Sequence, residues 1–356
     1  MRLICRQLLS KSRLKWQKTN PMKAARIVEP NHTDVVEVPL PDVGPTDVLI
    51  QVKAAGICGT DIHILHGEYM SSYPLIPGHE FSGIVAAVGE SVTRYKVGDR
   101  VTADPNVPCN RCTPCQRNQP NQCENLAAIG VTRDGAFAEY VTAPEAVVFP
   151  IGDMSFAAAA LIEPLACVVW GLKRVQVQPG DNVLVVGAGP MGVLLAQAVG
   201  HAGAAQVVVT DTNETRLELA AKLGATATVI SGPQQDEKLK ELAPNGFDII
   251  ADATGIASVL ESSIQYVRKR GKIWIFGVVP PEETISIVPY DVFRKDLTII
   301  GSFAVCRTFY ESIALIQSGT IQVEPLISHK LSITDFARGL EIAQFDPKRM
   351  KVQFEM

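Results

Sequence analysis

Val183-Leu184-Val185-Val186-Gly187-Ala188-Gly189-Pro190-Met191-Gly192 is the stretch that decides the fold. Its apolar start reads as a buried strand. A Gly-x-Gly-x-x-Gly turn follows, and a helical pattern runs from Gly192 to Ala202. In that order the three parts make a dinucleotide site. Gly187 permits a tight turn, Gly189 lets the backbone approach a pyrophosphate, and Gly192 lets helix and strand pack closely. The helix start, at Pro190 and Met191, presents unpaired N–H groups and partial positive charge to the phosphates. Asp211 follows the next strand, Gln206–Thr210, at the offset expected of the acid that binds a ribose. A carboxylate there repels a 2′-phosphate, which favours NAD over NADP. Arg216 could pair with such a phosphate. With Glu214 and Glu218 beside it, it reads instead as a solvated helix charge.

Around this stretch, strands alternate with helices. Asn182–Val186, Gln206–Thr210, Phe247–Ala251 and Lys272–Phe276 read as strands, with Glu214–Leu223 as a helix between them. That alternation predicts βαβ units and a parallel sheet up to about Phe309. Upstream the style differs. Lys23–Val28, Val48–Val52, Gly83–Val88, Arg100–Ala103 and Ala138–Val141 are short apolar runs between Gly, Pro, Asp and Asn turns. They predict a β-rich, barrel-like domain. Ser155–Val175 reads as a helix, and the last segment, with Phe336–Gln344, returns to the first domain. The expected class is α/β, with the β-rich unit at 22–175 and 310–356 and the doubly wound unit at 176–309.

Composition narrows the function. The chain has 356 residues, 47% hydrophobic and 20% charged, with a formal net charge of −4, so it has no global basic field for nucleic acid. No apolar run is read as a membrane span, because the most apolar one, Ala157–Leu172, contains Glu163 and Pro164. Residues 1–21 differ: Arg2, Arg6, Lys11, Arg13, Lys15 and Lys18 occur there without an acid. This extension is expected to be a disordered basic tail or an upstream start, with a mitochondrial presequence as the other reading. The protein is otherwise expected in the cytoplasm. Four of its eight cysteines lie within residues 109–123, a spacing that suits metal in a reducing compartment rather than a disulfide framework.

Cys109-x-x-Cys112-x-x-Cys115-x7-Cys123 offers four thiolates from one loop. Four sulfurs complete a tetrahedral zinc shell and leave no position for a substrate, which makes the site structural. Other metal-binding residue types are dispersed: Cys58 in Gly56-Ile-Cys-Gly-Thr-Asp-Ile-His63, His79 in Pro77-Gly-His-Glu80, and Glu163 in Leu161-Ile-Glu-Pro-Leu165. Spacing alone does not bring these together.

In the order and spacing of these motifs, from Met22 to Lys351, the chain resembles the zinc-containing medium-chain dehydrogenase/reductase family. The resemblance implies a GroES-like catalytic domain and a Rossmann domain. It implies two zinc ions per chain and NAD. Cys58 and His79 match ligands of a catalytic zinc, and Glu80 matches the acid beside them. Glu163 matches a position that is glutamate in the polyol and butanediol branch, so either Glu80 or Glu163 supplies the third ligand. Thr60 and His63 match the family's proton relay. The implied reaction is hydride transfer from a secondary alcohol of a small polyol to NAD, by an enzyme that is a homo-oligomer, dimer or tetramer. The resemblance leaves two close alternatives, 2,3-butanediol and threonine 3-dehydrogenation, and one of another class, a non-catalytic dinucleotide-binding regulator. Two features depart from sorbitol dehydrogenases: Ala304 stands where they carry arginine, and the four-cysteine loop is one that the mammalian enzymes lack.

Overall fold

The computed structural model describes residues 21–356, and the basic stretch ahead of them lies outside the described residues. The first strand, β1 (Pro21–Glu29), pairs with β2 (His32–Pro39) as an antiparallel hairpin. It begins at Pro21, inside the stretch expected to be extension. There follow β3 (Asp47–Gly56), β4 (Glu80–Val88), β5 (Arg100–Ala103), β6 (Asn106–Val107), β7 (Ala127–Ala128), β8 (Tyr140–Pro144) and β9 (Val148–Pro150). The nucleotide-type unit holds β10 (Asn182–Val186), β11 (Gln206–Asp211), β12 (Ala227–Ile230), β13 (Phe247–Asp252), β14 (Val267–Ile275) and β15 (Thr298–Gly301). The chain ends with β16 (Ile327–Ser332) and β17 (Lys351–Glu355).

In the first unit a seven-stranded sheet runs β16-β17-β3-β4-β5-β9, with β8 also on β3. The strand β3 is shared along its length. Asp47–Gln51 pairs with β8, and Ala54–Gly56 pairs with β17. A strand that changes partners part-way curls its sheet towards a barrel. Val48, Ile50 and Val52 enter the core at the two-residue period of a strand. Phe137, Phe336 and Phe354 close one end, with ring centroids 5.2–5.6 Å apart.

In the second unit six parallel strands run β12-β11-β10-β13-β14-β15. The order reverses at β10, whose neighbours are β11 and β13. Ligands of open parallel sheets bind at the carboxyl ends of the strands beside such a reversal. Leu184, Val208, Ile250 and Ile273 form the apolar layer that makes these strands continuous hydrophobic runs.

Several expectations are corrected. The helix expected over Ser155–Val175 is two helices, Phe156–Ala159 and Ile162–Val175. Pro164 lacks an amide donor and is tolerated only in a first turn, so a new helix starts just before it. The same stretch, Phe156–Val175, is long and apolar enough to cross a membrane by length and composition, with mean hydropathy 1.6, against the expectation that no run was. Two-thirds of that window is buried against protein, which accounts for its apolarity. The expected strand Ala138–Val141 is displaced to Tyr140–Pro144, and the strand expected from Lys272 begins at Val267.

The units also divide elsewhere than at 175 and 309. The first runs to Glu163 and takes in His329–Asp346 and Lys351–Met356; the second is Pro164–Ser328 with Pro347–Met350. Packing gives the reason. Gly171 lies so close against Trp274 of β14 that a Cβ would stand 2.1 Å from the indole ring. Thr308 Oγ1 donates to the Ala166 carbonyl (2.6 Å), and Lys272 Nζ to those of Val175 and Gln176 (2.6 and 2.8 Å). The helix Phe309–Gln317 joins the same unit through the Lys173–Glu311 ion pair (2.5 Å).

Candidate active site

Cys58 is the N-cap of the helix Gly59–His66, and the side chain of Asp61, at the third helical position, accepts from the Cys58 amide (2.8 Å). This is a reciprocal helix cap, with Cys58 in the place usually held by serine. Asp61 is fully buried and its second oxygen faces another segment. That oxygen accepts from the Gly78 amide (3.3 Å) and stands 3.6 Å from His79 Nδ1. One carboxylate thus ties the Cys58 turn to the loop that carries His79. Glu80 opens β4, opposite Gly56 at the end of β3. The donor atoms of Cys58, His79 and Glu80 all lie within 4.8 Å of one another.

Burial alone would lower the His79 pKa. The Asp61 and Cys58 charges outweigh it and hold the imidazole well above its ordinary value. Glu80 is buried, with Oε1 accepting from Lys351 Nζ (2.7 Å) and Oε2 without a hydrogen-bond partner. An orphaned buried carboxylate oxygen beside a cysteine and a histidine fits a divalent metal of zinc's ligand preferences. Thr60 Oγ1 is 3.8 Å from Cys58 Sγ. His63, one turn on, bonds to Glu68 through Nδ1 (2.8 Å), with its side chain 27% exposed.

Glu163 is buried in the first turn of its helix but is not among the donors that stand within 4.8 Å of one another. Its charge reaches Lys351 and Asp104. Burial first, and then Glu163, push the Asp104 carboxyl up to about 7, against hydrogen bonds from Asn106.

The four cysteines of the loop come together as their spacing implies, all four sulfurs within 4.8 Å of one another. The backbone amides of Cys109 and Asn125 donate to Cys123 Sγ, each at 3.3 Å. The amides of Arg111 and Cys112 pull the Cys109 thiol down to about 6, and burial pushes Cys115 up to about 12. None of the seven cysteines among the described residues is in a disulfide.

In the second unit, Gly187 has φ +100°, and a Cβ at Gly192 would lie 1.8 Å from the Gly187 carbonyl oxygen. A Cβ at Gly189 would meet nothing within 4 Å, so the space above this helix N-cap is open. Pro190 and Met191 form the first turn beneath it. This cradle fits a pyrophosphate. Asp211 ends β11 beside it. Its oxygens accept from the Ala188 and Asn213 amides (2.7 and 2.9 Å), which locks the carboxylate to the glycine turn. Arg216 is not the solvated charge expected beside Glu214 and Glu218. Its Nη2 donates to the Arg349 carbonyl (3.1 Å), from the short return segment Pro347–Met350.

Four residues escaped the sequence reading. Asp61 had a signal, a carboxylate three residues after a helix start. Lys351, Asp104 and Tyr69 had none, since each reaches the cluster only through tertiary packing. The Tyr69 hydroxyl is raised by burial, then lowered by His79 and raised by Cys58, which places it by the same cluster.

Comparison with known proteins follows the same division. The family model for the alcohol dehydrogenase GroES-like domain matches residues 44–153. The zinc-binding dehydrogenase model matches residues 190–318. The D-altritol 5-dehydrogenase of Agrobacterium fabrum is 39% identical over 94% of this chain and 99% of its own length. The D-arabinitol dehydrogenase 1 of Uromyces fabae is 36% identical over 90% and 93%. Among solved structures, a zinc-binding dehydrogenase of Sinorhizobium meliloti 1021 bound to NADP superposes with a TM-score of 0.91 at 35% identity, covering 95% of this chain and all of that one.

Proposed function

The chain belongs to the zinc-binding dehydrogenases, oxidoreductases with an alcohol dehydrogenase GroES-like domain, and from that premise we propose that it oxidises a secondary hydroxyl of a small polyol with NAD. The observation that carries this reading is the buried Cys58–His79–Glu80 cluster with an unpartnered carboxylate oxygen. A zinc ion held at that cluster would supply a Lewis acid for a hydroxyl, and NAD would supply the acceptor for a hydride from the carbon that bears it.

The chain's own residues do the rest. Cys58 and His79 hold the metal, and Glu80 or Glu163 completes the set. Asp61 orients the His79 ring. Thr60 Oγ1, close to the cluster, would accept the hydroxyl proton as it gives up its own, and His63, partly exposed and bonded to Glu68, would stand at the solvent end of that relay. Gly187, Gly189 and Gly192, with the helix start at Pro190 and Met191, seat the pyrophosphate. Asp211 bonds the ribose hydroxyls and disfavours a 2′-phosphate, with Arg216 beside it. Cys109, Cys112, Cys115 and Cys123 hold a second, structural zinc.

Relatives that act on altritol and arabinitol support a polyol substrate. The basic unit proposed is a cytoplasmic homo-oligomer, dimer or tetramer, without a nucleic-acid or membrane partner. Free thiols suit a reducing compartment. Exposed Tyr290, Phe293, Ile299 and Phe303 lie on and around the edge strand β15, a surface that favours a second copy. The test is growth of NADH absorbance with a panel of pentitols, hexitols, 2,3-butanediol and L-threonine. The highest kcat/KM is expected on a polyol. A preference for threonine or for butanediol would overturn the substrate and leave the family standing.

A further inference from the structure

The hairpin β1–β2 lines a cavity together with Pro74–Ile76, the loop around Arg133 and the start of β8. Backbone hydrogen bonds fix this frame. Ile27 and Leu75 exchange a pair of them (2.9 Å each), and the Gly135 amide donates to the Ile76 carbonyl (2.7 Å). The cavity measures about 470 Å³, a size typical of small-molecule sites. All of its lining lies in the first unit, and no residue of the metal clusters or of the glycine turn takes part.

Two half-buried guanidinium groups line it with donors to spare. Arg26 Nε is buried without a hydrogen-bond partner, and Arg26 Nη2 stands 3.8 Å from Asp34, too far for a hydrogen bond. Arg133 Nη2 donates only to the Thr142 hydroxyl (3.4 Å), and Arg133 makes no ion pair among the described residues. Leaving such donors unmatched costs free energy, which an oxygen-bearing ligand would recover. Two exposed carboxylates, Asp42 and Asp134, line the same cavity. Asp134 Oδ1 accepts from the Ile76 amide (3.0 Å), which leaves its other oxygen available. Val38, Pro39, Pro74 and Ile76 supply an apolar wall. The four charged groups cancel, so a ligand that matches them all is itself neutral overall. A planar guanidinium fork suits a carboxylate. A phosphate dianion would meet two repelling aspartates, and a simple amine would leave both arginines unmatched.

We propose that this cavity is a second small-molecule site, and that it takes a free α-amino acid with an aliphatic side chain. The carboxylate meets Arg26 and Arg133, the ammonium meets Asp42 and Asp134, and the side chain lies on the apolar wall. The site needs neither zinc nor NAD, so the inference stands apart from the proposed oxidation of a polyol.

The experiment is calorimetric titration of the full-length, zinc-loaded protein without NAD. The probes are L-leucine, 4-methylpentanoate (no ammonium), 3-methylbutylamine (no carboxylate) and inorganic phosphate. L-leucine should bind with a Kd of about 1 mM or tighter, and each of the others about tenfold more weakly. Arg133→Met should weaken L-leucine at least about tenfold. Asp42→Asn should remove the preference for L-leucine over 4-methylpentanoate. Cys58→Ala tests the rival explanation, an amino acid chelating the catalytic metal, and should bind L-leucine as the wild type does. No binding of L-leucine up to about 10 mM would overturn the proposal. So would phosphate binding more tightly, unchanged affinity in R133M, or loss of binding in C58A. If R133M does not fold, D42N decides: an unchanged preference overturns the proposal equally. Turnover of the polyol panel is a separate measurement, and its failure would leave the leucine titration standing.

Discussion

In the four-cysteine loop every donor comes from residues 109–123, and backbone amides of the same loop point at the sulfurs. In the Cys58–His79–Glu80 cluster the donors come from two segments, tied by a fully buried Asp61, with Lys351 from the far end of the chain bonded to Glu80. Four sulfurs would saturate a zinc ion in the first, so a metal there could only hold structure. The second mixes sulfur, nitrogen and a carboxylate that is already half engaged, which is what a site needs if something else is to bind. Local donors make a closed site, and donors gathered by the fold can leave one open.

The largest expected effect separates the two centres directly. Cys58→Ala or His79→Ala should abolish turnover, by more than roughly a thousandfold, while NAD affinity stays near wild type. Metal analysis should fall from close to two zinc per chain to about one. Turnover that survived with one zinc would erase the distinction between the centres.

The converse substitution is Cys112→Ser. A closed thiolate site contributes folding free energy, and a hydroxyl is a poor replacement ligand. We expect Tm to fall on the order of 10 °C, with residual activity in the protein that folds. Unchanged Tm with lost activity would move the loop to the catalytic side of the comparison.

A third variant works away from both metals. Asp211→Ser should lose charged hydrogen bonds worth about 1.5–3 kcal/mol, or roughly tenfold to a hundredfold in NAD affinity, with zinc content unchanged. NADP use should rise as repulsion is removed. The readout is the kcat/KM ratio for the two cofactors, and a constant ratio would place Asp211 away from the ribose.

The smallest effect concerns Asp104, next to the open site. Its carboxyl titrates near 7 in the folded protein, above the ordinary value of 3.8. The native state therefore keeps a proton that the unfolded chain loses, and stability falls as pH rises through that interval. Asp104→Asn removes the titration and keeps an acceptor for Asn106. Its Tm advantage over the wild type should be a few degrees at pH 8 and should shrink towards pH 4. An advantage independent of pH would mean that Asp104 carries no charge there.

The glycine turn and its strand were legible because both depend on neighbours in sequence. Strand Asn182–Val186 stands where its apolar run placed it. The edges of the units were not legible. The helix Ile162–Val175 is amphipathic whichever sheet it covers, and its contacts with Trp274, Thr308 and Lys272 show which one it joined. Arg216 likewise looked like surface until the return segment Pro347–Met350 put a carbonyl on it.

By itself the sequence determined what short spacings can hold: a Gly-x-Gly-x-x-Gly turn with Asp211 after the next strand, and a loop of four cysteines. It also held Cys58, Thr60, His63, His79 and Glu163 as separate residues, joined only through resemblance to a family. The tertiary structure alone decided that Glu80 stands with Cys58 and His79 while Glu163 stands outside their 4.8 Å set. It alone brought Lys351 across 271 positions to the Glu80 carboxylate. The physical reason is range. Turns and metal loops are set by backbone geometry over a few residues, whereas buried charge must be balanced by whatever residue the packed fold brings within a few ångströms.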